Sequence, residues 1–232
     1  PSSPLKARNG HTVVTGLPLR AAIAELADRR ADAQGAAQAR REAAERLGVN
    51  PDAPTLLVTG GSLGALHVNE SMTGAADALP EGAQVVHLTG RGKDEPVRAA
   101  VEAAGLSDRW HVIDYLTTME DALAVADLVV CRSGAGTVAE MEALGLPCIY
   151  VPLPIGNGEQ RLNAKDHVEA GGAQLIDDKD FTADFVRSNV FPLLGSTRLA
   201  EMAAASQSLG RAGAARALAD LALAQVKEDG HE

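Results

Sequence analysis

Apolar residues gather in six short runs: TLLVTG (55–60), QVVHLTG (84–90), WHVIDY (110–115), DLVVC (127–131), PCIYVP (147–152) and AQLID (173–177). Most are apolar on successive positions, as strands buried on both faces of a parallel sheet are. The segments between them, 65–79, 96–104, 118–126, 136–144 and 159–170, read as helices. Local signals agree with these bounds. Pro96 suits a first helical turn, and Gly105 and Gly145 follow helices at the stop position. Thr117-Thr118-Met119-Glu120 has the spacing of a capping box. Upstream, 19–47 is rich in Ala, Arg and Glu without Pro, so it reads as helix, interrupted near Gly35 and stopped at Gly48. HTVVTGLP (11–18) holds a short β-branched run ended by Gly16 and Pro18. Residues 197–226 read as two or more helices divided near Gly210. Alternating strands and helices predict a doubly wound α/β sheet, whose ligands sit beyond the carboxyl ends of the strands.

Composition narrows the choice of ligand. With 46% hydrophobic but only 3% aromatic residues, the core is built from Ala, Leu and Val. A formal net charge of −10 argues against nucleic acid or an anionic membrane surface as partner, since both demand clustered Lys and Arg. Cys131 and Cys148 end or begin apolar runs and read as reduced core thiols. No apolar run approaches the ~20 residues of a membrane-spanning helix. The Pro/Ser-rich opening PSSPLKARNG is how a piece of a longer protein would begin.

Three loops after strands carry the candidate chemistry. GGSLGALHVN (60–69) puts Gly60, Gly61, Ser62 and Gly64 at a strand-to-helix turn, where bare amides and a helix N-terminus can meet an anion. A tight turn needing positive φ explains the glycines equally well. The GGxxG spacing, and the absence of an acidic residue ending the second strand, count against a nicotinamide or flavin site; no GK[ST] follows as in a P-loop. CRSGAGTVAE (131–140) repeats the arrangement, with Gly134 and Gly136 flanking Ala135 and with Glu140 a turn later. Two such turns can hold the two phosphates of a diphosphate, and Glu140 can accept from a ribose diol or merely complement the helix dipole. In PLPIGNGEQRLNAK (152–165), Glu159, Gln160 and Asn163 open a helix, with Glu159 and Asn163 on one face. These groups suit sugar hydroxyls, or an exposed helix start. Asp178-Lys179-Asp180 matches a metal-binding DxD but fits turn chemistry better. The histidines lack ligand spacing, and no GxSxG elbow occurs. The sequence requires no cofactor or metal; stimulation by Mg²⁺ stays open.

Five blocks in order, TGLPLR (15–20), LLVTGGSLGALHVN (56–69), VVCRSGAGTVAE (129–140), GLPCIYVP (145–152) and GNGEQRLNA (156–164), resemble the carboxy-terminal domain of the MurG family in glycosyltransferase family 28. The resemblance implies an α/β, Rossmann-like doubly wound sheet with extra C-terminal helices, one half of a GT-B glycosyltransferase. It implies a linker over 1–15, a donor-binding domain over 16–226 and a tail over 227–232, with the amino-terminal domain absent. It implies transfer of N-acetylglucosamine from UDP-N-acetylglucosamine to lipid I, giving lipid II, at the cytoplasmic face of the bacterial membrane. In this family's pattern Arg20 lies near the diphosphate; Ser62 with Gly61 and Gly64 contacts the donor; and the backbone at Leu116 recognises uracil. Arg132, Ser133, Gly134, Ala135, Gly136 and Thr137 line the crevice, Glu140 holds the ribose, and Glu159, Gln160 and Asn163 face the sugar. The family often has Gln-Gln where this chain has Glu159-Gln160. The family's amino-terminal Gly-rich loop, with the histidine expected to assist deprotonation of the acceptor, has no match here. Lipid I and the membrane surface belong to that other domain, so no catalytic residue is assigned and the chain alone is expected to be inactive. A transferase with another acceptor, or a non-catalytic nucleotide-binding module, would carry the same blocks.

Overall fold

The computed structural model describes residues 13–61, 64–155, 157–210 and 213–229. Two helices come first, α1 (Ala21–Arg29) and α2 (Ala33–Leu47). Then strands alternate with helices: β1 (Thr55–Thr59), α3 (Leu66–Thr73), β2 (Gln84–Leu88), α4 (Asp94–Ala103), β3 (Trp110–Ile113), α5 (Met119–Val125), β4 (Leu128–Cys131), α6 (Ala135–Leu144), β5 (Cys148–Tyr150), α7 (Glu159–Glu169) and β6 (Ala173–Leu175). A short helix α8 (Ala183–Phe185) continues as a wide turn over Val186–Val190, and α9 (Thr197–Gln207) and α10 (Ala214–Asp229) finish the chain. The six strands are all parallel in the order β3-β2-β1-β4-β5-β6. The chain therefore leaves β1 in one direction and returns to its other side at β4, which opens a crevice between their carboxyl ends.

Both faces of the sheet are covered, as the unbroken apolar runs predict. Side chains alternate across a strand, so Leu56 and Val58 enter one core with Met72, Val97, Trp110, Phe181 and Phe191. Leu57 enters the other with Ile23, Ala43, Leu123 and Met141. At the amino edge one ion pair ties α2 to β1 and β4. Arg40 Nη1 and Nη2 donate to the two carboxylate oxygens of Asp127 at 2.9 Å each. The same guanidinium donates to Pro51 O (2.6 Å) and Ala53 O (2.8 Å), and Asp127 Oδ2 accepts from Thr55 N at 2.7 Å.

The structure departs from the sequence reading at several boundaries. The break in the first helical stretch falls at residues 30–32, not at the glycine. Gly35 lies inside the first turn of α2, where Asp32 Oδ1 accepts from its N–H (2.9 Å). A Cβ at Gly35 would come 2.2 Å from Arg29 O, so the glycine permits close packing of the two helices. The capping box does not form: Thr118 is the N-cap of α5 without a side-chain bond. Asp121, three residues on, is instead committed to Arg46 at 2.6 Å. The helix expected over 65–79 ends at Thr73 and is followed by a 3-10 turn at Ala76–Ala78. Residues 13–20 have no regular structure, and α10 runs on through Asp229. The linker expected over 1–15 lies outside the described residues up to 12.

Candidate functional site

The crevice at the carboxyl ends of β1 and β4 is a cleft of about 230 Å³. Arg20, Gly61, Leu116, Arg132, Thr137 and Glu140 from the sequence-derived set all line it. Helix starts fall into two groups. Helices α1 and α3 to α7 start without a side-chain cap. Helices α2, α8 and α9 are capped by Asp32, Thr182 and Ser196. Uncapped first turns leave N–H groups and the positive end of the helix dipole for another partner.

Ser62 lies outside the described residues. The glycines beside it serve different ends. Gly64 has φ +67° and a Cβ there would fall 2.1 Å from Thr89 O, so the loop is wound tightly against the end of β2. Gly61 has φ +80° but open space around it. A buried relay fixes this contact, and its one trace in the sequence is a histidine inside the apolar run QVVHL. Trp110 Nε1 donates to His87 Nδ1 (3.2 Å), which leaves His87 Nε2 to donate to Asn69 Oδ1 (3.0 Å). Asn69 Nδ2 then donates to Thr89 O (3.1 Å). Burial holds His87 at a pKa of about 3, so the ring stays neutral in this role.

At the opening of α6, Ala135 and Gly136 are exposed and Thr137 lines the cleft, while Ser133, Gly134, Ala135 and Gly136 are not among its lining residues. Gly134 is its N-cap in ordinary extended geometry (φ −62°). Gly136 has no positive φ, and a Cβ there would meet nothing within 4 Å. Neither glycine is therefore demanded by the fold, and glycine in a helix costs about 0.5–1 kcal/mol relative to alanine. Ser133 is fully buried and its Oγ has no hydrogen-bond partner among the described residues. Glu140, one turn into α6, is 15% exposed and accepts from Arg20 Nε at 2.9 Å. Arg132 turns its guanidinium along the sheet edge: Nη1 donates to Val151 O and Pro152 O (3.0 Å each) and to Asp178 Oδ1 (2.5 Å). It thus braces β4 against the loop after β5.

That loop borders a second hollow of about 540 Å³, lined in part by Leu153, Glu159, Gln160, Asp177 and Asp178. Gln160 Oε1 accepts from Leu153 N (2.9 Å) and Asn163 Nδ2 donates to Ser133 O (3.1 Å). These amides hold the loop and tie α7 to the opening of α6, while Glu159 is exposed. Asp178–Asp180 forms a 3-10 turn, with Asp178 paired to Arg132 and Asp177 paired to Arg161. Among the described residues no group of three His, Cys, Asp or Glu is placed to hold a metal. No helix among them is long and apolar enough to cross a membrane.

The arrangement can take an elongated anion with a polyol at one side: bare amides at α6, a cation at Arg20 and a carboxylate at Glu140. Residues 55–222 match the glycosyltransferase family 28 C-terminal domain. The chain is 48% identical over 231 residues to the UDP-N-acetylglucosamine–N-acetylmuramyl-(pentapeptide) pyrophosphoryl-undecaprenol N-acetylglucosamine transferase of Bifidobacterium longum, covering 93% of this chain and 58% of that protein. It is 45% identical over 215 residues to the transferase of the same name from Paenarthrobacter aurescens, covering 91% of this chain and 55% of that protein. Among solved structures, Acinetobacter baumannii MurG superposes with a TM-score of 0.67 at 30% identity, over 78% of this chain and 52% of that one. The chain thus spans somewhat over half the length of these relatives.

Proposed function

The chain belongs to glycosyltransferase family 28, matching its C-terminal domain, and on that premise we propose that it is the UDP-N-acetylglucosamine-binding half of a MurG-type transferase. The observation that carries this reading is the start of α6. Two glycines without a structural reason sit at an uncapped helix end, one turn ahead of a mostly buried Glu140 that is paired with Arg20.

In the proposed complex the diphosphate lies against the amides of residues 134–137, and Arg20 leaves Glu140 to meet it. Glu140 accepts from the ribose hydroxyls, and the backbone at Leu116 meets the uracil. Glu159, with Gln160 and Asn163 behind it, borders the sugar. In the reaction an acceptor hydroxyl attacks the anomeric carbon as its bond to the diphosphate oxygen breaks, with inversion. The electron pair leaves on UDP. Helix ends and Arg20 stabilise that charge where it develops, which is electrostatic catalysis by preorganised dipoles. The proton of the acceptor hydroxyl goes to a base that we assign to the remainder of the protein. The acceptor, lipid I, and the cytoplasmic membrane surface are likewise partners of the remainder, and residues 16–226 are the donor domain.

Calorimetric titration of the chain with UDP and UDP-N-acetylglucosamine tests the reading. Saturable binding of both below millimolar concentration supports it; no heat at millimolar ligand removes it. Sugar transfer by the chain alone would refute the assignment of the base elsewhere.

A further inference from the structure

The base end of the cleft has a feature that the donor-site reading does not use. Residues 90–93 form a tight turn after β2, closed by Lys93 N donating to Gly90 O at 3.1 Å. Gly90 (φ +89°) and Gly92 (φ +70°) flank Arg91. The turn is fastened to the segment after β3 at two points. Gly92 N donates to Asp114 Oδ1 at 2.6 Å. The Arg91 guanidinium carbon stands 3.9 Å from the centroid of the Tyr115 ring, over its face. Tyr115 is 42% exposed and lines the cleft beside Leu116, whereas Arg91 does not line it. The guanidinium therefore backs the ring from outside, and the next residue along the chain is the one assigned to the base.

We propose that Arg91 is a positioning residue for the nucleobase: it acts through Tyr115, holding the ring as a preset wall at the base end of the cleft. An exposed tyrosine left to rotate would lose that freedom when a base packs beside it, which weakens binding. A cation already seated on the ring removes part of that loss, and such contacts at exposed sites have modest strength. The inference rests on the donor-site reading and adds a residue to it. Arg91 touches neither diphosphate nor sugar in this arrangement, so its influence is confined to ligands that carry a base.

The test is calorimetric titration of the chain and its variants with UDP and, separately, inorganic pyrophosphate. Arg91→Gln keeps a polar side chain, shorter by two heavy atoms, and removes the cation. It is expected to weaken UDP about two- to fivefold and to leave pyrophosphate unchanged. Arg91→Lys, which retains a cation, is expected to recover part of the loss. In a Tyr115→Leu background Arg91→Gln is expected to change nothing further. Unaltered UDP affinity in Arg91→Gln overturns the inference. So does an equal weakening of UDP and pyrophosphate, which would make Arg91 a plain charge acting on the anion. Failure of the unmodified chain to bind UDP overturns the donor-site reading itself, and this inference with it. Both residues are exposed, so the variants are expected to fold, and a far-UV melt checks that.

Discussion

Removing the carboxylate of Glu140 separates its two roles, ion-pair partner and ribose acceptor. In the ligand-free chain Glu140 is 15% exposed and Arg20 56% exposed, at 2.9 Å. With its guanidinium largely in water, the pair adds only about 0–1 kcal/mol to folding. Glu140→Ala should therefore shift the unfolding free energy by no more than about 1 kcal/mol. Binding is another matter. Two ribose hydroxyls donating to a mostly buried carboxylate make hydrogen bonds of about 1.5–3 kcal/mol each, from which surrender of the Arg20 pair is subtracted. The net loss for UDP is about 2–6 kcal/mol, or roughly 30-fold and upward in Kd. The assay is calorimetric titration with UDP and 2′-deoxy-UDP against both proteins. Wild type should bind the deoxy ligand more weakly than UDP, whereas Glu140→Ala should bind the two alike. Arg20→Ala should weaken UDP while leaving uridine, which has no phosphate, as tight or tighter. The reasoning is refuted if Glu140→Ala binds UDP as wild type does, or if the deoxy penalty survives in the variant.

Glycines at the two phosphate-facing loops should respond in opposite ways to alanine. Gly136→Ala meets open space, so it should stabilise the fold by about 0.4–1 kcal/mol yet weaken UDP; unchanged UDP affinity would show that the backbone there is not approached. Gly64→Ala would collide with Thr89 O, and by urea unfolding should cost about 2 kcal/mol or more. Arg40→Ala strands the Asp127 carboxylate and two carbonyls at the far edge of the sheet; a loss of about 2–3 kcal/mol is expected, with UDP affinity of the folded protein intact. Burial holds His87 at about 3 and His167 at about 4. The unfolded imidazoles protonate below about 6.5 and the folded ones do not, so stability falls as pH drops from 6.5 toward 4. Each ring contributes about 2 kcal/mol of loss at pH 5. His87→Gln should remove one such share from the difference between urea unfolding at pH 7 and pH 5.

The strand runs and the crevice were legible because burial on both faces writes itself into consecutive apolar residues. Gly48 and Gly145 ended helices as read, each with a positive φ of 68° and 64°. What escaped was tertiary hydrogen bonding between residues far apart in sequence. Thr117 and Glu120 had the capping spacing, yet the Arg46–Asp121 pair across 75 positions took the first turn of α5. Arg132 lines the cleft, but nothing local in CRSGAG showed that its guanidinium is taken by Asp178, 46 positions away. The Trp110–His87–Asn69 relay spans three elements, and only the unusual His inside an apolar strand hinted at it. The glycine motifs alone left turn and ligand open. The structure separates Gly64, which the fold requires, from Gly136, which it does not.

A crystal structure of the chain with UDP-N-acetylglucosamine tests the central claim most directly. The account predicts the diphosphate against the amides of residues 134–137, the ribose on Glu140 and the Arg20–Glu140 pair opened. A nucleotide bound elsewhere, or one that leaves that pair intact and the start of α6 untouched, would contradict it.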